Sequence, residues 1–228
     1  MPGRTDSSAA TDSLDTGPPG GDTRAARPVR PAGTAPSAST ARLPADPEPG
    51  GPARPRSARS PFRTQLRRIG NGRVLEIGCG DGATLARCAP GSVGVDHDPR
   101  AVERCRARGL TAYTADAFLA SAHARPGAFD ALLTAHVLEH LDDEQVESLL
   151  RAYVGYVRPG GGVLLITAQE AGHRAGPAPV RFTDFALLRA FAASAGLAVR
   201  RTYSHPLPRP AGMLLRSNVF VLVGQVPR

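Results

Sequence analysis

The sequence contains no lysine and no tryptophan, and it has no hydrophobic run long enough to cross a membrane. All 28 basic side chains among the 228 residues are arginines. A membrane helix needs about 20 consecutive apolar residues, and no stretch of this sequence reaches that length. The first residues also lead into no apolar segment of the kind that a secretory signal carries. The sequence therefore predicts a cytoplasmic protein without a membrane partner.

Cysteine is also scarce. The chain has three cysteines, Cys79, Cys88 and Cys105, which is an odd number. None of their spacings matches a C-x-x-C metal pair. This pattern favours neither a disulfide framework nor a zinc site, and it is typical of a reduced compartment.

The formal net charge of +8 would fit a nucleic-acid partner, but its distribution argues against one. The first 60 residues hold eight arginines and six acids, so most of the charge is spread over the rest of the chain. An excess of arginine without lysine, together with abundant Ala, Gly and Pro, is typical of a coding bias toward G and C. We therefore expect a small-molecule partner and no nucleic acid. The sequence does not predict the oligomeric state.

The composition divides the chain near residue 60. Residues 1–60 are dominated by Pro, Ala, Gly, Ser, Thr and Arg, and Leu14, Val29 and Leu43 are nearly their only large aliphatic side chains. Such a segment buries too little apolar surface to offset the entropy lost on ordering. The sequence predicts a disordered tail over residues 1–60 and one folded domain over residues 61–228, which opens with a short helix over 61–69.

The most informative stretch is an apolar run over 74–77 that leads into glycines on alternate positions, Gly78, Gly80 and Gly82. It predicts a buried strand followed by a tight turn, because glycine allows positive φ and close approach of a ligand. Open α/β sheets hold nucleotide-like ligands at such turns. Asp96 lies 20 positions after Glu76, at the end of a second apolar run, where an acid suits a pair of ribose hydroxyls.

Strand-like and helix-like segments alternate along the rest of the chain, which predicts a parallel sheet with helices on both faces. The predicted strands cover 74–77, 92–95, 110–113, 128–134, 163–167, 197–203 and 218–223. Predicted helices cover 83–89, 99–108, a segment from about 117, 143–157 with an apolar stripe that includes Val157, and 184–195 with Thr183 as its cap. The segments 168–182 and 204–216 are expected as loops that shape an acceptor pocket.

The sequence E-I-G-C-G-D-G at 76–82, followed by V-D-H-D-P at 95–99, resembles the cofactor-binding core of class I S-adenosylmethionine (SAM) dependent methyltransferases. Nicotinamide and flavin enzymes typically space these glycines as G-x-G-x-x-G, whereas this chain has G-x-G-x-G. Asp130 at the start of the fourth strand and Arg158-Pro159-Gly160-Gly161 before the fifth are further landmarks of the family. The resemblance covers about residues 61–228. It implies a Rossmann-like three-layer α/β sandwich whose seven-stranded, mostly parallel sheet has an antiparallel last strand.

The resemblance also implies a SAM site. The glycine turn would surround the amino-acid end of SAM, with the backbone N–H of Cys79 contributing, and Asp96 would bind the ribose. Asp116 matches the position that binds adenine, although it also fits the N-cap of a helix starting near Ala117. The expected cofactor-binding residues are Glu76, Gly78, Cys79, Gly80, Gly82, Asp96, His97, Asp116, Ala117 and Thr134.

Three histidines near the predicted pocket, His136, His140 and His173, are candidates for a catalytic base. Methyl transfer is an in-line displacement, and a base helps when the acceptor is a hydroxyl or a protonated amine. In His136-x-x-Glu139-His140 the spacing would place three side chains on one helix face, as a divalent metal requires. The motif partly resembles the E-x-x-E-H metal site of small-RNA 2′-O-methyltransferases and some quinone-pathway O-methyltransferases. Because His136 replaces the first Glu, we expect no metal.

The leading hypothesis is a SAM-dependent methyltransferase that acts on O or N of a small molecule. One alternative is a metal-assisted RNA ribose 2′-O-methyltransferase. The other is a protein that binds SAM or a partner without turnover.

Overall fold

The structure, a computed structural model, describes residues 65–175 and 180–228. Residues 61–64 of the predicted helix over 61–69, and all of the predicted tail over 1–60, lie outside the described residues, whereas residues 65–69 are helical. The strands are β1 (Val74–Ile77), β2 (Val93–Val95), β3 (Ala112–Tyr113), β4 (Phe129–Ala135), β5 (Val157–Ala168), β6 (Ala198–His205) and β7 (Val219–Gln225).

Within the described ranges these strands form one seven-stranded sheet in the order β3-β2-β1-β4-β5-β7-β6. Strands β1 to β5 pair in parallel, with Ile77 opposite both Val95 of β2 and Thr134 of β4. Strand β7 is antiparallel to both of its neighbours, β5 and β6. The predicted mostly parallel sheet with an antiparallel last strand is confirmed.

Six helices connect the described strands: α1 (Pro99–Ala107), α2 (Ala115–Leu119), α3 (Asp143–Val154), α4 (Glu170–Ala175), α5 (Phe185–Ser194) and α6 (Arg209–Gly212). Single 3-10 turns cover Arg67–Ile69, Leu85–Arg87 and Leu138–His140. Asp98 accepts the N–H of Arg100 at the start of α1, and Asp142 forms a capping box with Gln145 at the start of α3. These short acceptors satisfy the first N–H groups of the two helices. No helix in the described part of the chain is both long and apolar enough to span a membrane.

The core lies on the two faces of the sheet. Adjacent residues of β4 show the division, because side chains alternate along a strand. Leu132 belongs to the cluster that packs under α3 and α5 through Leu150 and Leu188. Leu133 faces the other side and packs with Ile69. Both leucines are fully buried, as is typical of a parallel sheet covered on both faces.

The predicted helix over 83–89 is a 3-10 turn of three residues, Leu85–Arg87. The segment is too short to offset the cost of helix nucleation. Cys88 already has an extended backbone, and Pro90 disfavours helical dihedrals at Ala89 before it.

The predicted helix over 143–157 ends three residues early, at Val154. Val157 fits the helical apolar period, but it pairs with Phe129 in the sheet and begins β5. The next pair of the two strands is Gly162 with Ala131, so residues 158–161 bulge opposite Asp130. Asp130 accepts hydrogen bonds from Arg158 Nε and from the Arg73 N–H, both at 2.8 Å. The sequence Arg158 to Gly161 therefore lies inside the strand rather than before it.

The segment after β5 also differs from its prediction. It contains α4 rather than only loop. The cap of α5 is Asp184, which accepts the N–H groups of Ala186 and Leu187, and not Thr183. The carbonyl of Thr183 instead accepts the hydroxyl of Thr167 at 2.8 Å, because the chain here lies against the end of β5.

We expect Gly162→Ala to destabilise the domain by about 1–3 kcal/mol, because it overpacks the core. A Cβ at Gly162 would stand 2.7 Å from Ile69 Cβ and 2.9 Å from Ile69 Cα. The matched control is Gly155→Ala, whose Cβ would meet nothing within 4 Å. Urea unfolding followed by circular dichroism measures both variants, and equal midpoints would contradict the packing of this turn on β5.

Candidate functional site

The glycine turn lies at the carboxyl end of β1. Gly78, Gly80 and Gly82 have φ values of +73°, +52° and +75°, a region that side chains rarely adopt. A Cβ at Gly78 would stand 2.2 Å from Val137 Cγ2, and one at Gly82 would stand 2.5 Å from Leu110 Cδ1. A Cβ at Gly80 would meet nothing within 4 Å. The turn is therefore tightly packed at both ends and open in the middle, where a ligand can approach the backbone.

Asp96 lies directly after β2 and holds the glycine turn. Its Oδ2 accepts the N–H of Gly80 at 2.8 Å, and its Oδ1 accepts the N–H of Asp98 at 3.0 Å. The Nδ1 atom of His97 lies 3.1 Å from the same Oδ1. Burial alone would raise the pKa of Asp96, but the hydrogen bonds from His97, Asp98 and Gly80 lower it below its usual value. The carboxylate is thus ionised at neutral pH.

Glu76 is the third residue of β1, and only 3% of its surface is exposed. Its Oε2 atom has no hydrogen-bond partner among the described residues. Burial, with smaller contributions from the charges of Asp81 and Asp96, raises the pKa of Glu76 to about 8. A buried carboxyl oxygen without a hydrogen-bond partner, next to an open glycine turn, suits a ligand with a cationic group. The amino-acid end of SAM carries such a group, so these residues fit SAM.

Cys79 lies inside the turn, with its side chain directed into the core. Its Sγ is 3.8 Å from Sγ of Cys105, and burial raises the pKa of the Cys79 thiol. Such a thiol is not a nucleophile. Its backbone N–H donates to the carbonyl of Val95 at 3.3 Å, which is a different use from the contact with SAM that we expected.

Three further expected cofactor residues lie at the same edge of the sheet. Asp116 is the second residue of α2 and is exposed, while the N-cap is Thr114. The alternative reading of Asp116 as an N-cap is therefore wrong, because the helix begins at Ala115. Ala117 is half-buried. Thr134 is fully buried at the end of β4, and its hydroxyl has no partner among the described residues.

A His–Glu pair follows β4. His136 has a φ of +59° and is the one non-glycine residue with positive φ in the described part of the chain. Its Nδ1 lies 3.0 Å from Oε1 of Glu139. The same Oε1 accepts the N–H of Ala168 at 3.2 Å. Burial alone would raise the pKa of Glu139, but the hydrogen bond and charge of His136 lower it below its usual value. Glu139 is therefore an ionised acceptor, and His136 donates to it through Nδ1.

The other two candidate histidines do not join this pair. His140 ends the short turn over Leu138–His140, and its Nδ1 is buried without a partner among the described residues. His173 lies on α4, with its ring 5.2 Å from that of Phe182. The predicted convergence of His136, Glu139 and His140 on one helix face is wrong, because the segment is a three-residue 3-10 turn. No group of three potential metal ligands occurs in residues 65–175 and 180–228.

The sequence analysis missed a buried polar clamp at the end of β5. Gln169 and Asn218 are both fully buried. The amide of Asn218 donates to Gln169, which in turn donates to the hydroxyl of Ser204. Asn218 also accepts the N–H of Leu207 at 2.8 Å and donates to its carbonyl at 3.1 Å. The signal available in the sequence was a single amide residue directly after β5 and another directly before β7.

Comparisons with known proteins agree with this geometry. Residues 75–163 match the family model described as a methyltransferase domain. The matched range spans 89 of the 228 residues, and it agrees with the resemblance to class I SAM-dependent methyltransferases. The glycine turn, β2 to β4 and most of β1 and β5 lie within this range, so the predicted resemblance is confirmed for this part of the chain.

Individual relatives are more distant. The chain is 31% identical over 130 residues to a ubiquinone biosynthesis O-methyltransferase of Xanthomonas euvesicatoria, over 51% of this chain and 53% of the relative. The chain thus spans about half the length of the curated relatives that it matches. Among solved structures it is similar to the N-methyltransferase NodS from Bradyrhizobium japonicum, with a TM-score of 0.51 and 23% identity over 75% of this chain and 99% of that one. The [4+2]-cyclase SpnF is also similar, with a TM-score of 0.53 and 15% identity over 73% and 80%. The last two likenesses show the fold alone.

We expect Glu76→Gln to remove a pH-dependent loss of stability. A carboxyl whose folded-state pKa is raised stabilises the fold fully below its unfolded-state value of 4.5, and this contribution is lost as the pH rises toward 8. The loss approaches about 1.4 kcal/mol per pH unit. The free energy of unfolding of the wild type minus that of Glu76→Gln, measured by urea unfolding between pH 5 and 8, should follow this slope. The control Glu147→Gln, at a half-buried position on α3, should show no such slope, and a flat difference for Glu76→Gln would contradict the raised pKa.

Proposed function

We propose that the chain transfers a methyl group from SAM to a hydroxyl oxygen of a small molecule. One observation carries the proposal: the SAM-type glycine turn and the His136–Glu139 pair follow neighbouring strands, β1 and β4, at the same edge of the sheet. The relatives named as ubiquinone biosynthesis O-methyltransferases support oxygen as the acceptor atom. The class I family supports SAM as the donor.

In this proposal the residues of β1 to β3 hold SAM. The buried Oε2 of Glu76 faces the ammonium group, and the open backbone at Gly80 admits the amino-acid end. Asp96 accepts the ribose hydroxyls with lone pairs that its N–H donors leave available, and exposed Asp116 accepts from adenine. When bound, SAM supplies an activated methyl group on a sulfonium.

His136 acts as the base in this proposal, and Glu139 positions it. Because ionised Glu139 accepts the Nδ1 proton, the form of the ring that can act as a base is the one with its lone pair on Nε2. Nε2 takes the hydroxyl proton as the acceptor oxygen bonds to the methyl carbon and the carbon–sulfur bond breaks. The positive φ of His136 supports this role, because strained backbone is concentrated at functional sites. The N–H of His136 donates to the carbonyl of Ile166 at 2.9 Å and fixes that backbone.

Binding without methyl transfer remains a second candidate, and a specific observation supports it. The cyclase SpnF has a similar fold, so the fold alone does not fix the reaction. No contact of the described residues favours the RNA alternative, which stays an untested prediction.

Calorimetry on the full chain tests the cofactor half of the proposal. We expect SAM and its demethylated product to bind, and Asp96→Ala to weaken both by about tenfold or more, because it removes hydrogen bonds to a charged group. Glu147→Ala, which removes a half-buried acid on α3, is the control and should bind like the wild type. Absence of binding at millimolar ligand would contradict the proposal.

Turnover tests the catalytic half. With methyl-labelled SAM and a panel of phenols, alcohols and amines, we expect His136→Ala to lower kcat by about 10²–10⁴-fold with unchanged SAM affinity. Glu139→Gln should move the pH–rate profile, because it changes the basicity of His136. His173→Ala is the matched histidine control and should retain turnover. SAM binding without transfer to any acceptor would favour the second candidate, and full turnover by His136→Ala would exclude that histidine as the base.

A further inference from the structure

The connection between β6 and β7 exposes an apolar surface. We call residues 206–217 the β6–β7 tip. Leu207, Met213 and Leu215 expose 40%, 43% and 36% of their surfaces, and Leu214 exposes 87%. Every residue of the tip except Gly212 is exposed. Single exposed leucines are ordinary, but four large apolar side chains on one short projection are a patch that requires a partner.

The tip lies at the edge of the sheet that carries the glycine turn. Strand β7 is antiparallel to both β5 and β6, so β6 runs in the same direction as β1 to β5. The tip begins directly after His205, the last residue of β6. Whatever partner covers the tip therefore approaches the cofactor and acceptor side of the domain.

The exposure of the tip is fixed by packing at its base. Asn218 binds both the N–H and the carbonyl of Leu207 and also contacts Gln169. A Cβ at Gly212 would stand 1.8 Å from Nδ2 of Asn218, and one at Gly172 of α4 would stand 2.6 Å from the carbonyl oxygen of Arg216. The tip thus sits tightly on the clamp, while its leucines and methionine are exposed.

The charge around the tip is positive. No acidic residue follows Asp184, and the last 44 residues contain six arginines. Arg209 and Arg216 belong to the tip, and exposed Arg174 lies on neighbouring α4. Glu170 balances Arg209 at 3.2 Å, but Arg174 and Arg216 form no salt bridge with a described residue. The complementary partner is therefore apolar and anionic.

A membrane surface fits this patch better than a protein does. A stable protein interface uses about 20–30 residues on each side, whereas the tip offers four large apolar side chains on a projection. Leucine and methionine beside arginine are the combination by which peripheral proteins enter the headgroup layer of anionic membranes. We propose that the β6–β7 tip inserts into the surface of an anionic lipid bilayer and brings the site edge of the sheet to that surface.

This inference stands independently of the proposed reaction. It departs from the expectation of no membrane partner, which rested on the lack of a spanning segment.

The absence of tryptophan gives a direct test on the full chain. Leu214→Trp places a single reporter in the tip, and Val199→Trp places one at the opposite end of β6, at a position that is 39% exposed. With vesicles of phosphatidylglycerol and phosphatidylcholine, only Leu214→Trp should show a blue-shifted emission and protection from an aqueous quencher. No shift at Leu214, or equal shifts at both positions, would overturn the proposal.

Vesicle sedimentation separates the apolar contribution to membrane binding from the electrostatic one. We expect Leu214→Asp to reduce partitioning by about tenfold or more, and Arg216→Gln to reduce it by about fivefold. Equal binding to pure phosphatidylcholine vesicles would overturn the anionic part of the proposal. Sedimentation velocity tests the alternative that a second copy of this chain covers the tip. Self-association that Leu214→Asp abolishes, without vesicle binding, would assign the tip to a second copy of this chain.

Discussion

The site edge depends on buried carboxylates and on which of them receive hydrogen-bond donors. Asp96 and Glu139 are each surrounded by backbone N–H groups and a histidine, so their pKa values are lowered despite burial. The Oε2 atom of Glu76 has no partner among the described residues, and the pKa of Glu76 is raised to about 8. The pKa values of similar groups at one edge are therefore shifted in opposite directions. Asp96 holds the backbone of the glycine turn and Glu139 holds the ring of His136. The free oxygen of Glu76 suits a cationic group of a ligand.

The parallel direction of the strands explains how distant parts of the chain meet at this edge. Strands β1, β2, β4, β5 and β6 all run the same way, so the residues that follow them gather on one side of the sheet. The cofactor half is built mostly from backbone, through the turn at Gly80 and its bond to Asp96. The other half is built from side chains, through Gln169 and Asn218.

The same difference explains how much the sequence predicted. The glycine turn was predicted correctly, because it depends on contacts within a few residues. The prediction that His136, Glu139 and His140 share one helix face was wrong, because the positive φ of His136 is incompatible with a helix at that residue. Val157 was assigned to a helix, because its pairing with Phe129 depends on a strand 28 residues away. The clamp of Asn218 joins segments that no local pattern connects.

The limits of the family match indicate where acceptor choice resides. Residues 75–163 cover the glycine turn, the His136–Glu139 pair and most of β5, but neither the clamp nor the β6–β7 tip. The matched part therefore contains the glycine turn and the base that we propose, neither of which specifies the acceptor. What this chain adds lies in residues 169–218, where a polar clamp holds an exposed apolar tip beside the site. An acceptor that partitions into membranes would reach this edge without crossing bulk water.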